Sequence, residues 1–183
     1  MTFFECKRLI ISDFNRISDI GGVKMFFRGL LLHESFSVTF WFRVASWLQN
    51  KTGVYKLLNV IVRIILRHNS HKTGISLKPG TDIGGGLLFH HFSCIILSPY
   101  IHVGKNFTVY QGVTIGRIHK GKRAGVPYIG DNVTVFAGSK VLGNIRIGNN
   151  VTIGANAVVL HDVPDNAVVA GVPAKILHIR QNI

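Results

Sequence analysis

The β-branched residues between Ile129 and Leu160 recur every six positions. The recurring position is always Ile or Val: Ile129, Val135, Val141, Ile147, Ile153 and Val159. The same spacing continues upstream through Val103, Val109 and Ile115. A period of six fits neither an amphipathic α-helix, whose period is 3.6, nor a single alternating strand. The repeating unit must therefore be larger than one element of secondary structure.

A parallel β-helix accounts for this period, because three hexapeptides make one coil of about 18 residues, each with a short strand and a turn. The β-branched residue of each hexapeptide should point inward and pack on its counterpart one coil away. We expect these stacked pairs: Ile129 with Ile147, Val135 with Ile153, and Val141 with Val159. Gly and Asn follow at the corners, where left-handed backbone angles are needed. A β-sandwich would instead show irregular strand spacing.

The first part of the chain, to about Asn69, has the spacing of α-helices. Apolar residues from Phe36 to Leu48 fall on one helical face, and Gly53 separates this run from a second one, Val54 to His68. The second run is basic and too short in apolar residues to span a bilayer, although it could lie on one. We expect it to pack on its neighbours with its charges in water, and membrane contact remains the alternative.

The chain takes on β character at Ile75, and the six-residue repeat resumes with Leu77, Ile83, Phe89 and Ile95 and is then interrupted twice. Val103 follows Ile95 by eight residues, which predicts a two-residue irregularity near Pro99 and Tyr100. The fourteen residues from Ile115 to Ile129 predict a loop that leaves the prism. This loop carries five basic side chains, namely Arg117, His119, Lys120, Lys122 and Arg123. Such a loop could bind phosphates or could simply be solvated, and the residues alone do not decide between the two.

After Leu160 the repeat ends, and Pro164 and Pro173 mark its last turns. The apolar residues Val163, Val168 and Val169 are expected to close the open end of the prism. The chain is thus predicted to be mainly β, with an α-helical N-terminal segment (1–73) and a β-helix domain with a C-terminal cap (74–183).

Charge and cysteine content narrow the function classes. The chain has 21 Lys and Arg against 8 Asp and Glu, a net charge of +13, which predicts an anionic partner. The basic residues are spread over both halves and no nucleic-acid-binding motif is present, so we expect no nucleic acid. Cys6 and Cys94 match no metal or redox spacing, and Cys94 is expected to fill space inside a coil. The N-terminus does not resemble a signal peptide, which favours the cytoplasm or the inner face of its membrane.

Three segments carry a resemblance to a known family: IGGGLLFHH, VGKNFTVYQGVTIG, and the ending AGVPAK. From Gly74 to Leu177 the sequence resembles the left-handed β-helix acyltransferases of hexapeptide repeats, in the serine acetyltransferase branch. It is most similar to members that O-acetylate sugars during capsular or exopolysaccharide assembly. The resemblance implies a left-handed coil, direct transfer of acetyl from acetyl-CoA to a hydroxyl, and a homotrimer with sites between neighbouring subunits.

The resemblance assigns the general base to His91. A hydroxyl is a poor nucleophile at neutral pH, so a base that titrates near 7 is needed, and histidine suits that role. His90 occupies a position where the serine-specific enzymes carry an acid, and we expect the two rings to point to opposite faces of the coil. Ser76 stands where an aspartate would orient the base, which leaves Asp82 and Glu34 as candidate acids.

Two further positions depart from the serine enzymes. Their loop histidine and its neighbouring arginine align with Val126 and Gly125, so a serine substrate becomes less favoured. The cofactor positions are closer to the family. Small residues that would leave room for the pantetheine arm are Gly116, Ala137 and Ala155. Basic residues that would meet the nucleotide phosphates are Lys120, Lys122, Arg123 and Lys175.

The sequence therefore predicts an acetyl-CoA-dependent O-acetyltransferase that acts on a sugar hydroxyl of a surface polysaccharide or its precursor. Serine O-acetylation and a catalytically inactive coenzyme-binding scaffold are alternatives. A metal enzyme resembling the γ carbonic anhydrases would need paired histidines on adjacent coils. His90, His91, His102 and His119 lack that pairing, so we expect no metal.

Overall fold

The computed structural model describes residues 1–17 and 22–181. Four helices precede fifteen short strands. The helices are α1 (Phe3–Phe14), α2 (Val23–Leu32), α3 (Glu34–Leu48) and α4 (Val54–Thr73). The strands are β1 (Ile75–Ser76), β2 (Asp82–Ile83), β3 (Leu88–Phe89), β4 (Ile95–Leu97), β5 (His102–Val103), β6 (Thr108–Val109), β7 (Thr114–Gly116), β8 (Tyr128–Ile129), β9 (Thr134–Val135), β10 (Lys140–Leu142), β11 (Arg146–Ile147), β12 (Thr152–Ile153), β13 (Val158–Val159), β14 (Ala167–Ala170) and β15 (Lys175–Ile179).

The strands form the three faces of a parallel β-helix. Sheet A has the order β1-β4-β7-β10-β13, sheet B β11-β8-β5-β2, and sheet C β15-β14-β12-β9-β6-β3. The stacked pairs predicted from the repeat are confirmed: Ile129 aligns with Ile147, Val135 with Ile153, and Val141 with Val159. All six side chains are buried, so the β-branched repeat forms the core of the prism.

The predicted corners are also confirmed. Asn106, Asn132, Asn150 and Asn166 all have positive φ angles between 55° and 61°. The side-chain amides of the first three each donate to the next asparagine along the prism, with N···O distances of 2.8 to 2.9 Å. Asn accepts this backbone conformation at low cost, and the ladder satisfies its side chain at the same time.

One predicted irregularity lies elsewhere. Leu97 of β4 aligns with Ile115 of β7. Eight residues separate Phe89 from Leu97, whereas six separate the corresponding Val109 from Ile115. The two extra residues therefore lie in the turn after Phe89, and the prediction that placed them near Pro99 and Tyr100 is wrong. The sequence misled us because Ile95 and Leu97 both look like the repeating apolar position, and only the strand register identifies Leu97.

The helices share a hydrophobic core with the first coils. Val38, Phe42, Ala45 and Leu48 of α3 are buried and join one apolar cluster with the prism interior. The Ser35 hydroxyl, at the start of α3, accepts a hydrogen bond of 3.1 Å from the backbone amide of Phe89 in β3. The division at residue 73 stays a prediction, since the apolar packing continues across it.

A fully buried ion pair fixes the helices to the first coil. Arg43 of α3 donates to both oxygens of Asp13 in α1, at 2.9 and 3.2 Å. The same guanidinium donates to the carbonyls of Ile83 and Gly84 at 2.6 and 2.7 Å. Asp13 Oδ1 also accepts from the amides of Gly86 and Leu87. Burial raises the pKa of the Asp13 carboxyl, and the Arg43 guanidinium opposes that rise.

At the other end, β15 pairs antiparallel with β14 and extends sheet C. Val163 and Val169 are buried there as predicted, while Val168 is half-buried. Cys94 is exposed rather than packed inside a coil, so that prediction is wrong. Among the described residues, no helix is both long enough and apolar enough to cross a membrane.

The buried ion pair gives a stability prediction. Asp13→Asn keeps the shape of the side chain but leaves the Arg43 charge buried without a counter-ion, which costs about 3–5 kcal/mol of the free energy of unfolding. Denaturant unfolding measures this loss. Lys72→Met is the matched control, because it breaks an exposed ion pair with Glu34 and should cost less than about 1 kcal/mol. Equal losses in the two variants would contradict this role for Asp13.

Candidate active site at the histidine corner

His90 and His91 lie in the turn that leads from sheet C to sheet A. This turn, residues 90–94, contains the two extra residues described above, and we call it the histidine corner. Ser93 and Cys94 have φ angles of 113° and 50°. The turn is held between coils, because the amide of Gly112 donates to the carbonyl of Ser93 at 2.9 Å. Gly74 lies on the other side, where a Cβ would come within 2.9 Å of the Cys94 amide.

Both histidine side chains are exposed, which corrects the expectation that they point to opposite faces of the coil. Strand alternation ends at Phe89, and both rings lie outside the prism. The His90 ring stacks on Tyr110, with centroids 4.7 Å apart and planes 12° apart. Tyr110 in turn stacks on Phe136 at 4.8 Å. His91 meets the edge of Tyr110 at 6.0 Å. The stack holds His90 in place and leaves the His91 ring beside it, facing outward.

The stack was missed in the sequence although a signal was present. Tyr110 and Phe136 each follow the repeating apolar residue, as His90 follows Phe89, so the three side chains occupy equivalent places on successive coils. Lys140 was also missed. Its ammonium group donates to the carbonyl of Gly112 at 2.5 Å, which places a positive charge at this corner.

The two candidate acids are engaged elsewhere. Asp82 contacts Nδ1 of His102 at 2.5 Å on sheet B, where His102 also stacks on Tyr128. Glu34 forms an exposed ion pair of 4.0 Å with Lys72. The structure therefore assigns neither carboxylate to His91. The sequence could have suggested the Asp82–His102 pair, because each residue directly precedes a repeating apolar position.

Ser76 lies on β1, exposed, two residues after the glycine that touches the histidine corner. It borders an open cleft of about 570 Å³ between the end of α4 and the first coil. Four basic or titratable side chains line the same cleft: Arg63, Arg67, His71 and Lys78. Ser76 thus belongs to a basic surface directly below the histidine corner.

The predicted cofactor residues fall into two groups. Ala137 and Ala155 occupy the place of His91 on later coils, each two residues after a stacked apolar residue of sheet C. Lys175 pairs with Ala170 at the end of the same sheet. Five strand spacings in sheet C separate His90 from Lys175, a distance of about 24 Å. Gln111 lies between His91 and Ala137 in this row, so small side chains follow this edge of the prism only from Ala137 toward the terminal lysine.

The second group lies at the corner between sheets A and B. Gly116 aligns with Leu142, and a Cβ on this glycine would come within 2.9 Å of Leu142 Cδ2. Gly116 is five residues after Gln111, so sheet A separates it from the His91 row by no more than about 17 Å.

The basic loop folds back on this second corner. Ile118 and Gly125 form an antiparallel bridge, and Arg123 Nη2 lies 2.9 Å from Nε2 and 3.2 Å from Nδ1 of His161. Lys120 and Lys122 are exposed. Gly125 and Val126, at the loop's end, are half-buried. Within one subunit the loop bases and the alanine row are thus on different corners.

Comparison with known proteins places these features in a family. Residues 127–161 match the family described as bacterial transferase hexapeptide (six repeats). A serine acetyltransferase of Synechococcus elongatus is 38% identical over 149 residues, which is 81% of this chain and 59% of that protein. One of Staphylococcus xylosus is 44% identical over 118 residues, 64% of this chain and 55% of that protein. This chain belongs to the hexapeptide-repeat acyltransferases, in the serine acetyltransferase-like branch.

Solved structures support the same membership across nearly the whole chain. The crystal structure of Neisseria gonorrhoeae serine acetyltransferase gives a TM-score of 0.78 at 27% identity, with 98% of this chain and 67% of that chain covered. A serine acetyltransferase in complex with CoA gives 0.76 at 27% identity, covering 96% and 71%. This likeness confirms the left-handed β-helix with N-terminal helices. Because the chain spans just over half the length of the curated relatives, the activity of this hexapeptide-repeat acyltransferase remains a proposal.

Among the described residues, no group of three or more His, Cys, Asp and Glu side chains is placed to hold a metal ion. His102 and His119 do not join the histidine corner: His102 lies on sheet B, and His119 lies in the basic loop.

The exposed thiol at the histidine corner gives a direct probe of the site. Cys94 lies three residues from His91, whereas Cys6 is buried and burial raises its pKa to about 11. We expect one thiol per folded chain to react rapidly with a thiol reagent at neutral pH, since the thiolate is the reactive form. Mass spectrometry of the labelled peptide identifies it. Cys94→Ser should remove the rapid phase, and rapid labelling of Cys6 in the folded protein would contradict the structure.

Proposed function

We propose that this chain transfers an acetyl group from acetyl-CoA to a hydroxyl, with His91 as the general base. The observation that carries the proposal is the position of His91, exposed at a corner, with Ala137 and Ala155 in the same row two and three coils further along the prism. Small side chains there leave room for an extended thioester arm. Lys175 at the end of this edge would meet a phosphate by charge.

The chemistry needs one group that accepts a proton and returns it. The acceptor hydroxyl attacks the thioester carbonyl carbon while His91 takes the hydroxyl proton. The carbon–sulfur bond then breaks, and His91 gives the proton to the departing sulfur, so the histidine ends unchanged. Gly116 lies at the other corner of sheet A, so its backbone amides are candidates to stabilise the oxyanion only at the His91 site of a neighbouring subunit in the homotrimer proposed below.

Serine is the acceptor that the comparisons favour, since the relatives and structures cited above are named serine acetyltransferases. They do not support the saccharide acceptor predicted from the sequence. The saccharide remains a second candidate because of three positions that depart from the serine enzymes: His90, Gly125 and Val126. The stacked ring of His90 presents no carboxylate to an amino group. The adjoining basic cleft of about 570 Å³ is also larger than serine requires.

A direct assay tests the activity and the acceptor together. Purified protein is incubated with acetyl-CoA and either L-serine or a panel of sugars, nucleotide sugars and oligosaccharides, and free thiol and acetylated product are measured. Release with L-serine alone supports serine O-acetylation, and release with a saccharide alone supports the second candidate. Failure to bind coenzyme A would favour an inactive scaffold instead.

His91→Ala should lower kcat by about 10²–10⁴-fold with whichever acceptor is active, because a positioned general base contributes about that much. The KM for acetyl-CoA should change little, since the base acts on the acceptor hydroxyl. His178→Ala is the matched control, an exposed histidine on β15 far from the corner, and should retain full activity. An unchanged kcat in His91→Ala would exclude this mechanism.

We further propose a homotrimer in which the loop bases of one subunit meet the alanine row of its neighbour. The separation of these two groups within one chain supports this arrangement. Two impaired variants, His91→Ala and the double variant Lys120→Gln/Lys122→Gln, are unfolded and refolded together in equal amounts. If each site takes its base and its loop from different subunits, random assembly should rebuild about a quarter of the sites.

Activity is measured at low acetyl-CoA, where loss of the loop charges matters most. Mixtures of subunits refolded separately serve as the control. Activity no greater than in that control would show that base and loop belong to the same subunit.

A further inference from the structure

Helix α4 has an apolar face that no other part of the described chain covers. The helix packs on α3 through Val62 and Leu66, which are buried. At 100° per residue, the side chains on the far side form a second apolar surface. Leu57, Ile61 and Ile64 are at its centre, with exposed fractions of 65%, 47% and 63%. The sequence led us to expect that this helix would pack its apolar residues on neighbours, but Val62 and Leu66 are the only apolar residues of α4 that are buried.

We define the apolar face of α4 as Val54, Leu57, Leu58, Val60, Ile61 and Ile64, all of which are exposed. Single exposed aliphatic residues are common on protein surfaces, but a contiguous group is a mark of an interaction site. Here the group follows the i, i+3, i+4, i+7 spacing along about three turns of one helix. Exposure to water alone does not explain why aliphatic side chains recur along one face of this helix.

A basic stripe borders the apolar face. Lys56, Arg63 and Arg67 lie at neighbouring angles around the helix, between its exposed apolar face and the side that packs on α3. All three are exposed, and α4 contains no Asp or Glu. Arg63 donates to Asn59 of the same helix at 3.2 Å, and no carboxylate of the described residues forms an ion pair with it. The surface therefore combines aliphatic side chains with an uncompensated positive edge.

The charge distinguishes between two ways to cover this face. A second copy of the chain, docked through the same face, would bring like charges together around the apolar contact, which is unfavourable. An anionic lipid surface offers acyl chains for the apolar residues and phosphates for the basic ones. The 20 residues of α4 are about 30 Å long, but the helix is not apolar enough to cross a membrane, so it could contact such a surface only along its side.

We propose that α4 docks the protein on an anionic membrane surface, with its apolar face among the acyl chains and Lys56, Arg63 and Arg67 at the lipid phosphates. The proposal does not depend on the transferase activity. It concerns where the protein sits, and its test measures binding alone.

Sedimentation with lipid vesicles tests the proposal. The full-length protein is mixed with phosphatidylcholine vesicles that contain phosphatidylglycerol, or with phosphatidylcholine alone. We expect binding to the anionic vesicles, little binding to the neutral ones, and weaker binding as salt rises, because salt screens the charges at the surface.

Two variants separate the apolar and ionic parts. Leu57→Ser/Ile61→Ser/Ile64→Ser should abolish vesicle binding, whereas Ile176→Ser/Leu177→Ser/Ile179→Ser, which changes exposed aliphatic residues of β15, should not. Lys56→Gln/Arg63→Gln/Arg67→Gln should weaken binding about a hundredfold, since each basic residue near an anionic membrane contributes about 1 kcal/mol. Lys105→Gln/Arg146→Gln/Arg180→Gln removes the same charge from the coils and should have a much smaller effect.

Thermal unfolding establishes that each variant is folded, and Ile61→Asn alone replaces the triple serine variant if that variant is not. The proposal is overturned if wild-type protein fails to bind anionic vesicles, or binds neutral ones equally well. It is also overturned if the α4 variants bind as the wild type does. Loss of oligomer mass in the triple serine variant, without any vesicle binding by the wild type, would show that a second copy covers the face instead.

Discussion

The end of a parallel β-helix exposes backbone groups that no further coil can pair, and in this protein a buried ion pair satisfies them. Arg43 donates to the carbonyls of Ile83 and Gly84, and Asp13 accepts from the amides of Gly86 and Leu87. Each charge would be costly to bury alone, but together they neutralise one another and pair with four backbone groups. The helices are therefore fixed to the segment that leads directly into β3 and the histidines. This contact therefore supports both the first coil and the chain segment that leads to His90 and His91.

The prism also determines what its corners can present. Along each face the side chains alternate between the core and the solvent, so a strand can expose only every second residue. The corners interrupt this alternation, and the histidine corner, lengthened by two residues, carries two adjacent exposed histidines. Tyr110 and Phe136 then hold His90 by stacking, because the parallel register places them directly above it. The rigid scaffold thus positions a side chain that itself lies on a loop.

The repeat predicted most of the fold because its physical basis is local. Each Ile or Val must face inward, each corner needs a residue that tolerates positive φ, and both requirements are visible in the chain. The position of the two-residue insertion was not visible, because Ile95 and Leu97 are both apolar and only pairing with β7 distinguishes them. The partner of Glu34 was likewise hidden, since its ion pair with Lys72 joins residues far apart in the chain and outside the repeat. Assignment of His91 came from resemblance, and the structure adds its exposure and neighbours. The role of each candidate residue stays a prediction.

The insertion at the histidine corner shows that residues at a corner can change without a change in the stacked core. The core residues before and after it, Phe89 and Leu97, keep their register with the next coil despite the changed spacing between them. A corner can therefore lengthen, shorten or change its side chains while the stacked interior is unaffected. The loop at the other corner of sheet A shows the same tolerance with eight extra residues. Such a scaffold allows new acceptor specificities to arise by insertion at the corners, with little risk to stability.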